Sequence, residues 1–126
     1  MFQKGLFLLF FLFCFVSKTS FAQEYLCNSA KSVDWENKQE FTKPIFKTLR
    51  FNTESNIVTI DNITWENYKI VPDDNNFKND LVAIRYSEGP NVKIQVLKIR
   101  RWMSEMPFIF LSSIHSLTIG KCILIK

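Results

Sequence analysis

The longest apolar run of the chain lies at its amino terminus. After Lys4, the residues from Leu6 to Val16 are apolar without interruption, and the polar stretch Ser17-Lys18-Thr19-Ser20 follows them. A charged start, an apolar centre and a polar end are typical of a secretory signal peptide. The apolar run is also shorter than the roughly 20 residues that a membrane-spanning helix needs. The pattern therefore predicts a cleaved signal over residues 1–22 and no transmembrane anchor afterwards.

The end of this signal is indicated by small residues. Ser20 and Ala22 flank Phe21, which is the pattern that a signal peptidase accepts. We therefore expect cleavage between Ala22 and Gln23 and export to the periplasm or the extracellular space. Residues 23–126 are enough for one domain with a single modest core.

Downstream of the signal, short apolar or alternating segments are separated by turn-forming residues. Such segments occupy residues 25–27, 45–51, 57–60, 64–71, 81–87, 92–100, 108–111, 114–119 and 122–125. No 11-residue window keeps a helical apolar period. The pattern predicts an all-β domain, a small antiparallel meander of about eight short strands that closes as a barrel or folds as a sandwich.

Three local features refine this prediction. Residues 28–40 are polar, so we expect a loop or at most a helical turn there. The five-residue turn cluster 52–56 predicts a hairpin between its flanking strands. In the segment 92–100 the apolar parity changes at Val96-Leu97, which a β-bulge would explain.

The two cysteines that remain after cleavage lie near opposite ends of the domain. Cys27 and Cys122 are an isolated pair in a chain that is expected to be exported, and such a pair is most simply a disulfide. A loop this long would stabilise the fold by about 4.5 kcal/mol on the chain-entropy model. The bond would fasten the first strand to the last.

Charge changes the picture only modestly. The full chain has a net charge of +4, and loss of Lys4 and Lys18 with the signal leaves about +2. This mild excess argues against a dedicated nucleic-acid binder. The basic excess lies in residues 81–126, which have seven basic and two acidic residues, whereas residues 23–80 have seven basic and ten acidic ones.

Residues that carry out catalysis or bind metals are sparse. His115 is the only histidine, and the chain has three glycines and no phosphate-binding loop. Ser113 beside His115 has no identified third group, so a strand histidine is the better interpretation. The acidic residues Asp73, Asp74 and Asp80 lack the order of a calcium loop. The sequence thus predicts no catalytic residue, no cofactor and no metal site.

One cluster combines positive charge with an aromatic ring. Arg100 and Arg101 precede Trp102, and anionic ligands often bind where cations meet an aromatic face. We therefore assign these three as candidate ligand-binding residues, which Arg85, Lys93 and Lys121 could join in a meander. The pattern by itself favours a strand end with solvated basic side chains and a core tryptophan, and these three residues are the best functional candidates beside that interpretation.

These features favour an exported, non-enzymatic binding module on a small β-barrel, with an anionic ligand or a protein as its partner. The alternative is a protein-directed inhibitor or an envelope interaction protein. An apolar cavity inside the barrel would favour a small ligand, whereas a filled barrel with a protruding loop would favour a protein partner.

Overall fold

The computed structural model describes residues 23–71, 80–88, 93–113 and 116–125. These residues form ten strands: β1 (Glu24–Asp34), β2 (Gln39–Glu40), β3 (Thr48–Asn52), β4 (Ile57–Ile60), β5 (Ile63–Trp65), β6 (Lys69–Val71), β7 (Asp80–Ser87), β8 (Lys93–Arg100), β9 (Pro107–Ser112) and β10 (Ser116–Leu124). The all-β prediction is confirmed, with more strands than the eight expected. The predicted signal peptide, His115 and the pair Asp73-Asp74 lie outside the described residues.

The strands form one antiparallel sheet curled into a half-barrel, instead of the two packed sheets of a sandwich. Their order is β5-β4-β3-β1-β10-β9-β8-β7-β6, with β2 paired to β1. Strands β5 and β6 lie at opposite ends of this order, yet only residues 66–68 separate them in the chain. This segment bridges both sides: the Tyr68 N–H donates to the Asn56 carbonyl (3.2 Å), and Arg85 Nε donates to the Glu66 carbonyl (2.9 Å).

The first strand is much longer than predicted. Strand β1 continues through residues 28–34, where the sequence suggested a loop, because these residues pair with β10. Its pairing with β10 shifts register between Ser29 and Lys31, so a β-bulge lies here. The outward side chains of this part face solvent, and polar residues are compatible with a strand that is buried on one face only.

Strand β8, by contrast, is regular where a bulge was expected. Its pairing with β7 runs without a shift from Lys93 to Arg100, so the prediction of a bulge at Val96-Leu97 is wrong. Leu97 is buried on the inner face, and Val96 is only partly buried on the outer face. The change of parity arises because this strand carries apolar residues on both faces.

Two further predicted segments have different boundaries. The segment 64–71 is not one strand: Asn67 adopts a positive φ of 67°, which ends β5 before β6 begins. Conversely, 116–124 is a single strand, β10, where two were expected. The hairpin of β3 and β4 is confirmed, with a turn at residues 53–56.

Apolar side chains on the inner face of the half-barrel form the core. Two edge-to-face aromatic pairs connect strands to the segments between strands: Phe46 packs against Phe110 of β9, and Tyr68 packs against Phe51 of β3. The predicted disulfide is confirmed: Cys27 and Cys122 lie opposite each other in the register of β1 and β10, and both are buried. The bond therefore joins the first strand to the last across the middle of the sheet.

Candidate ligand-binding site

A cavity of about 360 Å³ opens at the end of the half-barrel where β8 begins and β9 ends. Its size is at the lower end of the range for small-molecule sites. The residues around it are Phe41, Ile45, Phe46, Ile60, Asp61, Ile63, Trp65, Gln95, Phe110, Ser112 and Ser116. Most of them are apolar, and the polar ones are concentrated on one wall.

The polar wall is a single cross-strand row. Arg85 on β7 pairs with Gln95 on β8, Gln95 pairs with Ser112 on β9, and Ser112 pairs with Ser116 on β10. Gln95, Ser112 and Ser116 are each 6% exposed. Opposite residues of antiparallel strands hold their Cβ atoms about 4.5–5.5 Å apart on one face. Gln95, Ser112 and Ser116 therefore present a line of polar side chains to the cavity, and Arg85 lies next to them at the β7 end of the row.

Phe41, Ile45 and Phe46 form part of the apolar wall of the cavity, and the buried hydroxyl of Ser32 positions the segment that carries them. Ser32 Oγ lies 2.8 Å from Thr118 Oγ1 and accepts a hydrogen bond from the Ile45 N–H at 3.1 Å. The Phe41 N–H donates to the Ser32 carbonyl at 2.9 Å. These bonds hold the irregular segment 41–46 against β1, and Phe46 packs edge-on against Phe110. The segment thereby becomes part of the cavity wall.

Tyr68 orients the amide of the polar wall. Its hydroxyl donates to Gln95 Oε1, and both side chains are buried. Burial raises the pKa of the Tyr68 phenol, while the positive charge of Arg85 acts in the opposite direction. The phenol therefore stays neutral and acts as a donor. The Gln95 oxygen is occupied by the bond from Tyr68, so Gln95 would contact a ligand through its amide N–H groups.

Arg85 lies beside this wall at the seam between the sheet edges. Its Cζ atom is 5.2 Å from the centre of the Trp65 ring, and its Nε donates to the Glu66 carbonyl. Trp65 itself lines the cavity. A guanidinium over an indole face is held by a cation–π attraction. Arg85 is thus fixed between two cavity residues, Trp65 and Gln95.

The acidic residue of the lining has a structural role. Asp61 Oδ1 accepts hydrogen bonds from the backbone N–H groups of Lys47 (3.0 Å) and Thr48 (3.1 Å). Asp61 also adopts a positive φ of 52° in the turn between β4 and β5. Its carboxylate therefore holds this turn in place next to the irregular segment.

The residues singled out in the sequence lie at the other end of β8. Trp102 is 48% exposed, so it is not a core residue, and its Nε1 donates to the buried Asp80 Oδ1 at 2.8 Å. Arg101 Nη1 donates to the Tyr25 hydroxyl at 3.4 Å. Arg100, Arg101 and Trp102 are close together in the fold, and their role in binding stays a prediction.

Of the cations expected to join this group, only one lies near it. Lys121 is at the same end of the sheet and pairs with Glu105 (3.0 Å). Arg85 and Lys93 lie at the opposite end, since Arg85 faces Gln95 and Lys93 begins β8. Sequence inspection missed Gln95, Ser112 and Ser116, because these cavity residues come from separate strands and only the strand register brings them together.

Comparisons with family models, with curated proteins and with solved structures gave no match. Within the part of the chain that the structure describes, no helix has the length and apolar character to cross a membrane.

Proposed function

We propose that this protein is an exported, non-enzymatic module that binds a small, largely apolar molecule in the mouth of its half-barrel. The observation that carries this proposal is the cavity of about 360 Å³, with an apolar wall facing a row of buried polar side chains. Small-molecule sites typically combine a mostly apolar lining with a few polar groups that orient the ligand.

Two further features support the proposal. The carboxylate of Asp61, the acidic residue of the lining, accepts hydrogen bonds from two backbone N–H groups, which is a structural role. The Cys27–Cys122 disulfide supports export, because such bonds persist mainly in oxidising compartments.

A charge placed on the apolar wall should weaken binding. Ile63 lines the cavity and is 60% exposed, so Ile63→Asp should leave the fold intact. We expect it to reduce the affinity for an apolar ligand about tenfold, or ~1.4 kcal/mol, because a carboxylate there must lose water when the ligand enters. The measurement is a fluorescence titration with N-phenyl-1-naphthylamine, a neutral apolar probe.

The matched control is Ile123→Asp. Ile123 is 53% exposed on β10 and lies outside the cavity, so this variant carries the same change at similar exposure. Its affinity for the probe should equal that of the wild type. Equal loss in both variants, or no saturable binding by the wild type, would contradict the proposal. The second result would favour the alternative of a protein-directed inhibitor acting through its outer surface.

A further inference from the structure

We propose that the ligand of this cavity is an apolar molecule with one carboxylate, and that Arg85 is the residue that recognises its negative charge. This inference rests on the proposed function and narrows it to one chemical class. It follows from three observations: the position of Arg85 at the end of the polar row, the unused N–H donors of its guanidinium, and the size of the cavity.

The guanidinium of Arg85 has unused hydrogen-bonding capacity. It carries five N–H donors, of which the Nε–H is taken by the Glu66 carbonyl. Among the residues that the structure describes, no carboxylate pairs with it. Three lysines on other strands do have acidic partners: Lys31 with Glu40, Lys98 with Asp80 and Lys121 with Glu105.

The environment of Arg85 makes an anionic partner favourable. The side chain is only partly exposed and lies against the Trp65 ring, so its charge is less well hydrated than one on the open surface. Fork-like pairing with a carboxylate is the interaction for which a guanidinium is best shaped. A ligand carboxylate at this end of the row would supply the missing counter-charge.

Gln95 completes the recognition of the head group. It is the cross-strand partner of Arg85, so both side chains lie within reach of one carboxylate. Its oxygen is held by Tyr68, which leaves the amide N–H groups to donate to a carboxylate oxygen. The apolar part of the ligand would then lie against Ile45, Phe46 and Ile63 on the facing wall.

The cavity volume limits the length of the ligand. About 360 Å³ corresponds to roughly a dozen non-hydrogen atoms at ~30 Å³ each, the volume per molecule of liquid water. A saturated acid of about ten carbons has this size. Asp61 also lines the cavity, but its carboxylate accepts hydrogen bonds from two backbone N–H groups and offers no donor to an anion. The carboxylate of the ligand would therefore lie on the Arg85 side of the cavity.

The test compares an acid with the alcohol of the same chain length. We expect the wild type to bind decanoate about tenfold more tightly than decanol, measured by displacement of N-phenyl-1-naphthylamine at pH 7. Arg85→Gln should abolish this preference by weakening decanoate binding while decanol binding stays the same. Retained decanol binding shows that the variant is folded and that its cavity is intact.

Two matched variants complete the design. Arg50→Gln removes an exposed, outward-facing cation of β3 and should keep the wild-type preference for the acid. Arg85→Lys keeps the charge without the fork and should keep part of the preference. If the wild type binds the probe but shows no preference for decanoate, or if Arg85→Gln keeps the preference, the carboxylate inference is overturned. If neither the probe nor either ligand binds, the proposed function itself fails.

Discussion

Replacing both Cys27 and Cys122 by alanine is expected to lower the free energy of unfolding by about 4.5 kcal/mol. The two cysteines are 95 residues apart in sequence, so the bond restricts most of the unfolded domain. A loss of this size is a large fraction of the 5–15 kcal/mol that stabilises a typical domain. The measurement is urea unfolding followed by tryptophan fluorescence, compared between the oxidised wild type and the double variant.

The reduced wild type is the control, because it keeps both side chains and lacks only the bond. It should unfold at nearly the same urea concentration as the double variant. A double variant within about 1 kcal/mol of the oxidised wild type would show that the pairing of β1 with β10 holds the domain closed without the disulfide.

The second large effect is expected at Gly120. A Cβ atom added here would lie 2.0 Å from the Asn28 carbonyl oxygen and 2.6 Å from Phe108 Cε1. The first neighbour is backbone, so β1 and β10 would have to move apart beside the bulge at Ser29. We expect Gly120→Ala to cost about 3 kcal/mol, at the upper end of the usual penalty for overpacking.

The same urea experiment tests this expectation, and Lys121→Ala is the neighbouring control. Lys121 is exposed and forms an ion pair with the exposed Glu105, so its loss should cost no more than about 0.5 kcal/mol. A Gly120→Ala variant as stable as the control would mean that the strands do not approach each other this closely.

The class of the fold could be predicted because its signals are local. Alternating apolar residues between turn clusters indicated strands at β7 and β8, and the isolated pair Cys27 and Cys122 indicated the disulfide. The prediction failed at β1, where polar outward side chains concealed a strand held by backbone pairing with β10. It also failed at Asn67, where one left-handed residue divides an apolar segment between two sheet edges.

The candidate site was hidden from the sequence for a related reason. Arg100, Arg101 and Trp102 are adjacent in the chain, so their shared chemistry is visible at once. Gln95 and Ser112 come together only through the strand register, which composition does not encode. The position of Ile45 depends on the buried hydroxyl of Ser32, a contact between residues that the sequence alone does not connect.

The most direct measurement of the central claim uses the tryptophan indoles. Trp65 lines the cavity, whereas Trp102 lies at the opposite end of β8, bound to Asp80. In a ¹⁵N NMR titration with decanoate, the Trp65 indole resonance, assigned with a Trp65→Phe variant, should shift and saturate while that of Trp102 stays in place. A saturable shift at Trp102 alone, or no shift at Trp65, would contradict the assignment of the cavity as the binding site.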